Sequence, residues 1–324
     1  MLTTKSDHRE KMVLETDSNK VWTVAFHPDG IHVFGGMDDG IRRWRLADGQ
    51  EVGKQTGMDL NAISMSRDHK WVVCGTSRTG ASVWDTELRE KVIEVEGAEN
   101  VYAVDVASDC TRFATGTGNR KVTIWSITTG ERLVGPLEHG GYVRGVKFSP
   151  DGGRLATACS LDSTIRIFNA HNGNQLISIK NPVPGQNSFI PIAWLMDGER
   201  FLTTATDSKI KLFNSSTGSQ LVEWKIHDND DNHVSIALDA NNKFIASCAG
   251  RFVSFWDSST HTQIGINIVE DTDKIRSIAL SPDGSRLASG SNDSGRINIW
   301  DLHGILPGSY LSTNVSITFL SSRT

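Results

Sequence analysis

Short runs in which apolar and polar residues alternate recur along the chain, each bounded by turn-forming residues. Val21-Trp22-Thr23-Val24-Ala25-Phe26 and Arg296-Ile297-Asn298-Ile299-Trp300 are two of them. Alternation with a period of two predicts strands that present one face to a core. Between the runs lie His27-Pro28-Asp29-Gly30, Ser149-Pro150-Asp151-Gly152, Met196-Asp197-Gly198 and Ser281-Pro282-Asp283-Gly284. Proline presets φ for a turn, while Asp and Gly tolerate the tight reversal that follows. Arg67-Asp68-His69-Lys70, Ser108-Asp109-Cys110-Thr111 and Asp239-Ala240-Asn241-Asn242 are weaker copies of the same turn. Each unit therefore reads as strand, hairpin, strand, short turn, third strand, second turn and fourth strand. Thr129-Gly130-Glu131 and Thr217-Gly218-Ser219 are the clearest of the later turns.

The third strand of each unit ends on an aromatic residue: Trp44, Trp84, Trp125, Phe168, Phe213, Trp256 and Trp300. Subtracting these numbers gives intervals of 40, 41, 43, 45, 43 and 44 residues. A period of roughly 40–45 residues with four strands per unit is that of a propeller blade. The expectation is an all-β, seven-bladed β-propeller of four-stranded antiparallel blades. Residues 11–302 form the ring, with an N-terminal extension over 1–10 and a loosely attached C-terminal tail over 303–324.

The details resemble one family. Leu287-Ala288-Ser289-Gly290-Ser291, Asp293 and Arg296-Ile297-Asn298-Ile299-Trp300-Asp301 are similar to a WD-repeat blade. So are Ala114-Thr115-Gly116 with Val122-Thr123-Ile124-Trp125, and Ala246-Ser247-Cys248 with Val253-Ser254-Phe255-Trp256-Asp257. The likeness extends from about Lys11 to Leu302. Only Trp84, Trp256 and Trp300 are followed by Asp, and Phe168 and Phe213 replace the Trp.

In that family a blade is stapled by a leading-loop His, a Ser or Thr on the second strand, a turn Asp and the Trp indole. Asp38, Asp162, Asp207 and Asp293 stand at the turn position here, and Arg78, Asn119 and Gly250 replace it in the other blades. His139 fits the loop position of the fourth unit, but its partner is Phe168, which has no N–H to donate. No unit has a complete set. The expectation is a degenerate propeller held mainly by packing, weaker by about 1 kcal/mol for each missing hydrogen bond.

Closure of the ring needs a strand for the outer edge of the seventh blade, because an open edge invites aggregation. Lys11-Met12-Val13-Leu14-Glu15 precedes the first unit at the spacing of a fourth strand, as N-terminal strands do in the resembled family. The rival is Val315-Ser316-Ile317-Thr318-Phe319-Leu320. The N-terminal strand is expected to close the ring.

Charged residues make up 22% of the chain and the net charge is −5. That mild acidity argues against general nucleic-acid binding, which needs clustered basic charge. The N-terminus carries no apolar core of signal-peptide length and no run approaches transmembrane length, so the expectation is an intracellular protein, cytoplasmic or nuclear, with no membrane partner. The four cysteines are too few for a disulfide scaffold. Cys74, Cys159 and Cys248 fall on second strands of different blades and read as small core residues. Sequons at Asn214, Asn292 and Asn314 read as turn or tail residues. The long loop Lys180–Ser188 reads as an insertion or a functional loop. The acidic loop His227–His233 lacks the glycine and terminal glutamate of a calcium loop and reads as solvated.

Function must come from sites, since this fold hosts many roles. Aligning the first strands puts Trp22, Asn61, Tyr102, Arg144, Ile190, Val234 and Arg276 at one repeat position. The resemblance implies that this position rings the channel mouth on the face of the blade-leading loops. Trp, Tyr and Arg dominate interface hot spots, and Arg recognises carboxylate or phosphate bidentately. Arg78 and Arg120, on turns before Trp84 and Trp125, would extend a basic rim. The expected partners are proteins or peptides, including acidic segments, bound by a monomer within a larger complex. No catalytic residue, cofactor or metal site is expected: no phosphate loop, paired-carboxylate motif, HExxH or nucleophile elbow occurs. A ubiquitin-ligase substrate receptor is the alternative. The residues three past Trp in the Trp-Asp pairs are Glu87, Ser259 and His303 rather than the Arg that such family members carry.

Overall fold

Among the described residues, twenty-eight strands form seven four-stranded antiparallel sheets and no helix. The computed structural model describes residues 11–95, 97–98, 100–181, 190–204, 208–226, 234–270, 274–291 and 293–311. Asp207, the loops 182–189 and 227–233, the sequons at Asn292 and Asn314 and the rival strand 315–320 lie outside them.

Blade 1 consists of Val21–Phe26, His32–Met37, Gly40–Arg45 and Glu51–Thr56, each strand paired with the next. Blades 2 to 6 repeat this order over residues 60–95, 101–138, 143–180, 192–225 and 234–269. Blade 7 takes Ile275–Leu280, Arg286–Ser291 and Ile297–Asp301 from the end of the repeats and Lys11–Leu14 from the N-terminus. Lys11 faces Trp300 and Leu14 faces Ile297 in an antiparallel register. The N-terminal strand therefore closes the ring, as expected.

The Asp-Gly hairpins form where the sequence suggests. Gly30, Gly152, Gly198 and Gly284 adopt φ between 67° and 72°. In the weaker copies His69, Cys110 and Asn242 hold the same left-handed place at φ 68°, 58° and 56°. Such a conformation costs a non-glycine residue roughly 1–2 kcal/mol, so the turn is imposed by the strands on either side.

The core lies between adjacent blades. Val73, Ala81 and Val83 of blade 2 pack with Val101, Val104, Phe113 and Trp125 of blade 3. Glycines on second strands make room for this contact: a Cβ on Gly75 would stand 2.6 Å from Val101 Cγ1, and one on Gly116 2.7 Å from Val143 Cγ1. Cys74, Cys159 and Cys248 are buried on second strands of blades 2, 4 and 6, consistent with core packing.

One expectation needs correction. Residues 303–311 are not loosely attached. Ile305, Leu306 and Leu311 are buried against blades 6 and 7, and the Tyr310 hydroxyl donates to Asp257 Oδ2 at 2.7 Å. Their apolar side chains share one buried core with Phe244, Phe255 and Leu287. Blade 7 does hold a buried network of its own, with Glu270 in the place of the family's His. Glu270 Oε1 accepts from Ser289 Oγ (2.6 Å) and Trp300 Nε1 (3.2 Å), and Oε2 accepts from Asn298 Nδ2 (2.8 Å). Lys11 of the closing strand reaches Oε2 at 3.3 Å. Elsewhere the network is partial: Trp125 Nε1 donates to Thr115 Oγ1 and Trp256 Nε1 to Ser247 Oγ, both at 2.9 Å. In blade 4, His139 Nε2 pairs with Thr157 Oγ1 at 2.8 Å, and its ring lies 5.6 Å from that of Phe168, which takes the place of the indole.

Candidate protein-docking site at the channel mouth

Five of the seven aligned positions share a local backbone device. In blade 1, Val21 pairs with Met37 and Thr23 with Gly36, so Trp22 is the extra residue of a β-bulge. The same shift isolates Asn61, Tyr102, Arg144 and Arg276 in blades 2, 3, 4 and 7. A bulge leaves one residue out of the ladder and re-aims its side chain. Blade 6 pairs in unbroken register from Val234–Ala249, and the first strand of blade 5 begins only at Ile192.

The five bulged residues are half-buried and line a cavity of about 110 Å³ at one end of the central channel. Val234 also lines it but is 5% exposed. Ile190 is 1% exposed and lines the wider, 420 Å³ space below instead. The predicted ring is thus five presented residues, one buried wall residue and one residue outside the mouth.

Cations and aromatics are paired around this cavity. The Arg144 guanidinium lies 3.7 Å from the Tyr102 ring centroid and 5.8 Å from that of Tyr142. Arg276 lies 3.9 Å from the Trp22 ring centroid, and Lys20 Nζ is 5.5 Å from the same ring. These distances are those of cation–π contacts. The Trp22 indole N–H donates to Asp38 Oδ1. Asp38, expected in a blade staple, therefore orients a mouth residue. Asn61 is held by bonds to Ser77 Oγ (3.0 Å) and the Val101 carbonyl (2.9 Å).

Burial lowers the pKa of both arginines, and the Arg144 charge adds to the effect on Arg276, which falls to about 10. Both remain protonated at neutral pH. Two like charges raise the potential at the mouth and favour an anionic group there.

Arg78 and Arg120 do not join the mouth. Arg78 is exposed beside a separate depression that includes Asp38, Asp59 and Thr79. Arg120 is exposed on its turn at φ 65°. Among the described residues, one feature outside the mouth escaped the sequence reading: a His27, Asp29 and His32 cluster. The His-Pro-Asp-Gly turn accounts for His27 and Asp29 alone, and the third member is the first residue of the next strand.

Comparison with known proteins bears on the whole arrangement. The profile of the "WD domain, G-beta repeat" family matches residues 9–45, 89–126, 132–169 and 266–301. This chain is a WD-repeat β-propeller. The propeller is similar to WD repeat and SOCS box-containing protein 1 of Danio rerio, at 23% identity over 180 residues, 51% of this chain and 43% of that one. It is also similar to the serine-threonine kinase receptor-associated protein of Dictyostelium discoideum, at 28% over 153 residues, 47% of this chain and 52% of the other. The chain thus spans about half the length of these relatives. The β-propeller domain of Myceliophteria thermophila Cps50 (Swd1) shares the fold, with a TM-score of 0.75 at 16% identity over 90% of this chain and 99% of that one. No helix among the described residues is long and apolar enough to cross a membrane.

Proposed function

We propose that this WD-repeat propeller is a non-catalytic scaffold that docks a protein or peptide segment, acidic where it meets the channel mouth. The observation that supports this is the convergence of five bulged residues on one cavity, with two charged arginines stacked on Trp22 and Tyr102. An acidic side chain entering the mouth would meet guanidinium charge and apolar ring faces together, the residue types that carry binding energy in interfaces. The cavity is too small for a folded domain and suits one or two side chains of an extended segment. The similar protein of Dictyostelium discoideum is named for its association with a kinase receptor, which accords with a role in binding other proteins.

The ubiquitin-ligase reading has less to support it. Glu87 is bound to Arg43 at 2.7 Å and His303 to Asp301 at 2.7 Å, so neither side chain offers the expected basic contact.

Affinity capture with wild type and the Trp22→Ala/Arg144→Glu double variant tests the proposal. Partners lost with the variant, and released from wild type by added salt, support it, provided both proteins melt at similar temperatures. Equal retention by both would put the binding surface elsewhere.

A further inference from the structure

Val315, Ile317 and Phe319 alternate with Ser316 and Thr318, yet the blade 7 edge that such a segment could take is filled by Lys11–Leu14. We propose that the segment 315–320 docks instead in the lower opening of the central channel, with Val315, Ile317 and Phe319 against its apolar wall.

That opening is wide and largely apolar. The 420 Å³ space lies below the Trp22 mouth, and blades 5, 6 and 7 supply most of its wall. Ile236, Ala237 and Leu238 of blade 6 and Leu280 of blade 7 remain partly exposed there. Met196, on the blade 5 hairpin, is 54% exposed at its rim. Apolar surface gathered at one opening favours an apolar occupant. The carboxylates of the wall are already engaged. Asp105 accepts from Lys147 Nζ at 2.6 Å and from the Phe148 N–H at 2.9 Å, and Asp239 Oδ2 accepts the N–H groups of Asn241 and Lys243. Arg67, the other cation at this wall, is exposed to solvent.

Continuity of the chain brings the segment to this opening. Leu311 is 5% exposed in a core whose partly buried neighbours include Ala237 and Leu280, and both of these also line the channel. The Ser309 carbonyl accepts from Lys243 Nζ at 3.3 Å, one residue from Asn242 of the same wall. Val315 is four positions beyond Leu311 and Phe319 eight. An extended chain rises roughly 3.3 Å per residue, so these positions reach about 13 and 26 Å from Leu311. Four strands spaced about 4.8 Å apart make a blade only about 14 Å across, so the reach suffices. On an extended chain, alternation would turn the three apolar side chains to the wall and Ser316 and Thr318 to solvent.

Disulfide trapping in the full chain tests the placement, in a Cys110→Ser background and with oxidised glutathione as the oxidant. Met196→Cys/Phe319→Cys should close within one molecule about tenfold faster than Lys70→Cys/Phe319→Cys, because docking raises the effective concentration at one partner alone. Lys70 is exposed on the blade 2 hairpin and serves as the control. As a second readout, Phe319→Glu should increase binding of the apolar dye anilinonaphthalene sulfonate, and adding Met196→Asp should reverse the gain. Equal trapping rates for the two pairs, or dye binding unchanged by Phe319→Glu, would overturn the proposal. Bonds that form only between molecules and grow with protein concentration would overturn it too, by making a second copy the occupant.

Discussion

Arg144 and Tyr102 sit one blade apart in the ring and about 42 residues apart in sequence, yet their side chains are in contact because each is the unpaired member of a bulge. Residue types at the mouth are legible from aligned strands, but the direction of a side chain is a property of strand pairing. Without the bulge, Val234 stays in the wall. His139 shows the same dependence of chemistry on setting. Burial lowers its pKa below the ordinary value, while its Nδ1 donates to the Leu137 carbonyl at 3.0 Å. The unfolded chain then takes up a proton below about pH 6.5 while the folded chain resists it. Stability should therefore fall as pH drops through the interval between the unfolded value and the lowered folded one. The slope from this group is at most about 1.4 kcal/mol per pH unit. Denaturant titrations at pH 8 and pH 5.5 should show a larger loss for wild type than for His139→Gln; equal losses would remove His139 from the account.

At the scale of elements, the closing strand Lys11–Leu14 is the most exposed to failure. It contributes one edge of blade 7 and anchors it through Lys11 to the buried Glu270 network. Its position is legible from spacing. The network is not, because Glu270 stands where the family has His and its value appears only when Ser289, Asn298 and Trp300 converge on it. Deleting residues 1–18 uncovers the ladder of Ile297–Asp301 and removes a partner from a buried charge. The truncated chain should elute as associated species in size-exclusion chromatography and lose its cooperative unfolding transition. A monodisperse, cooperatively melting product would contradict this role.

Across the whole molecule, the ring is tied at a second point by residues 303–311, which lie across blades 6 and 7. The backbone of Ile266 donates to the Ile305 carbonyl at 3.3 Å, and Leu306 is 6% exposed in the same core as Phe244 and Leu287. Leu306→Ala should cost about 2–5 kcal/mol, the range for a buried leucine truncation, and lower the midpoint of thermal unfolding. An unchanged melting curve would mean that this segment adds nothing to the ring. By itself the sequence determined the number of blades, the order of strands, the Asp-Gly hairpins and the closing strand. These follow from local periodicity and turn chemistry repeated at a fixed interval. Tertiary structure alone decided which aligned residues reach the mouth, that Glu270 gathers Ser289, Asn298 and Trp300, that His32 joins His27 and Asp29, and that 303–311 pack. Each depends on register shifts or on contacts between distant segments, and periodicity within one repeat carries no record of either.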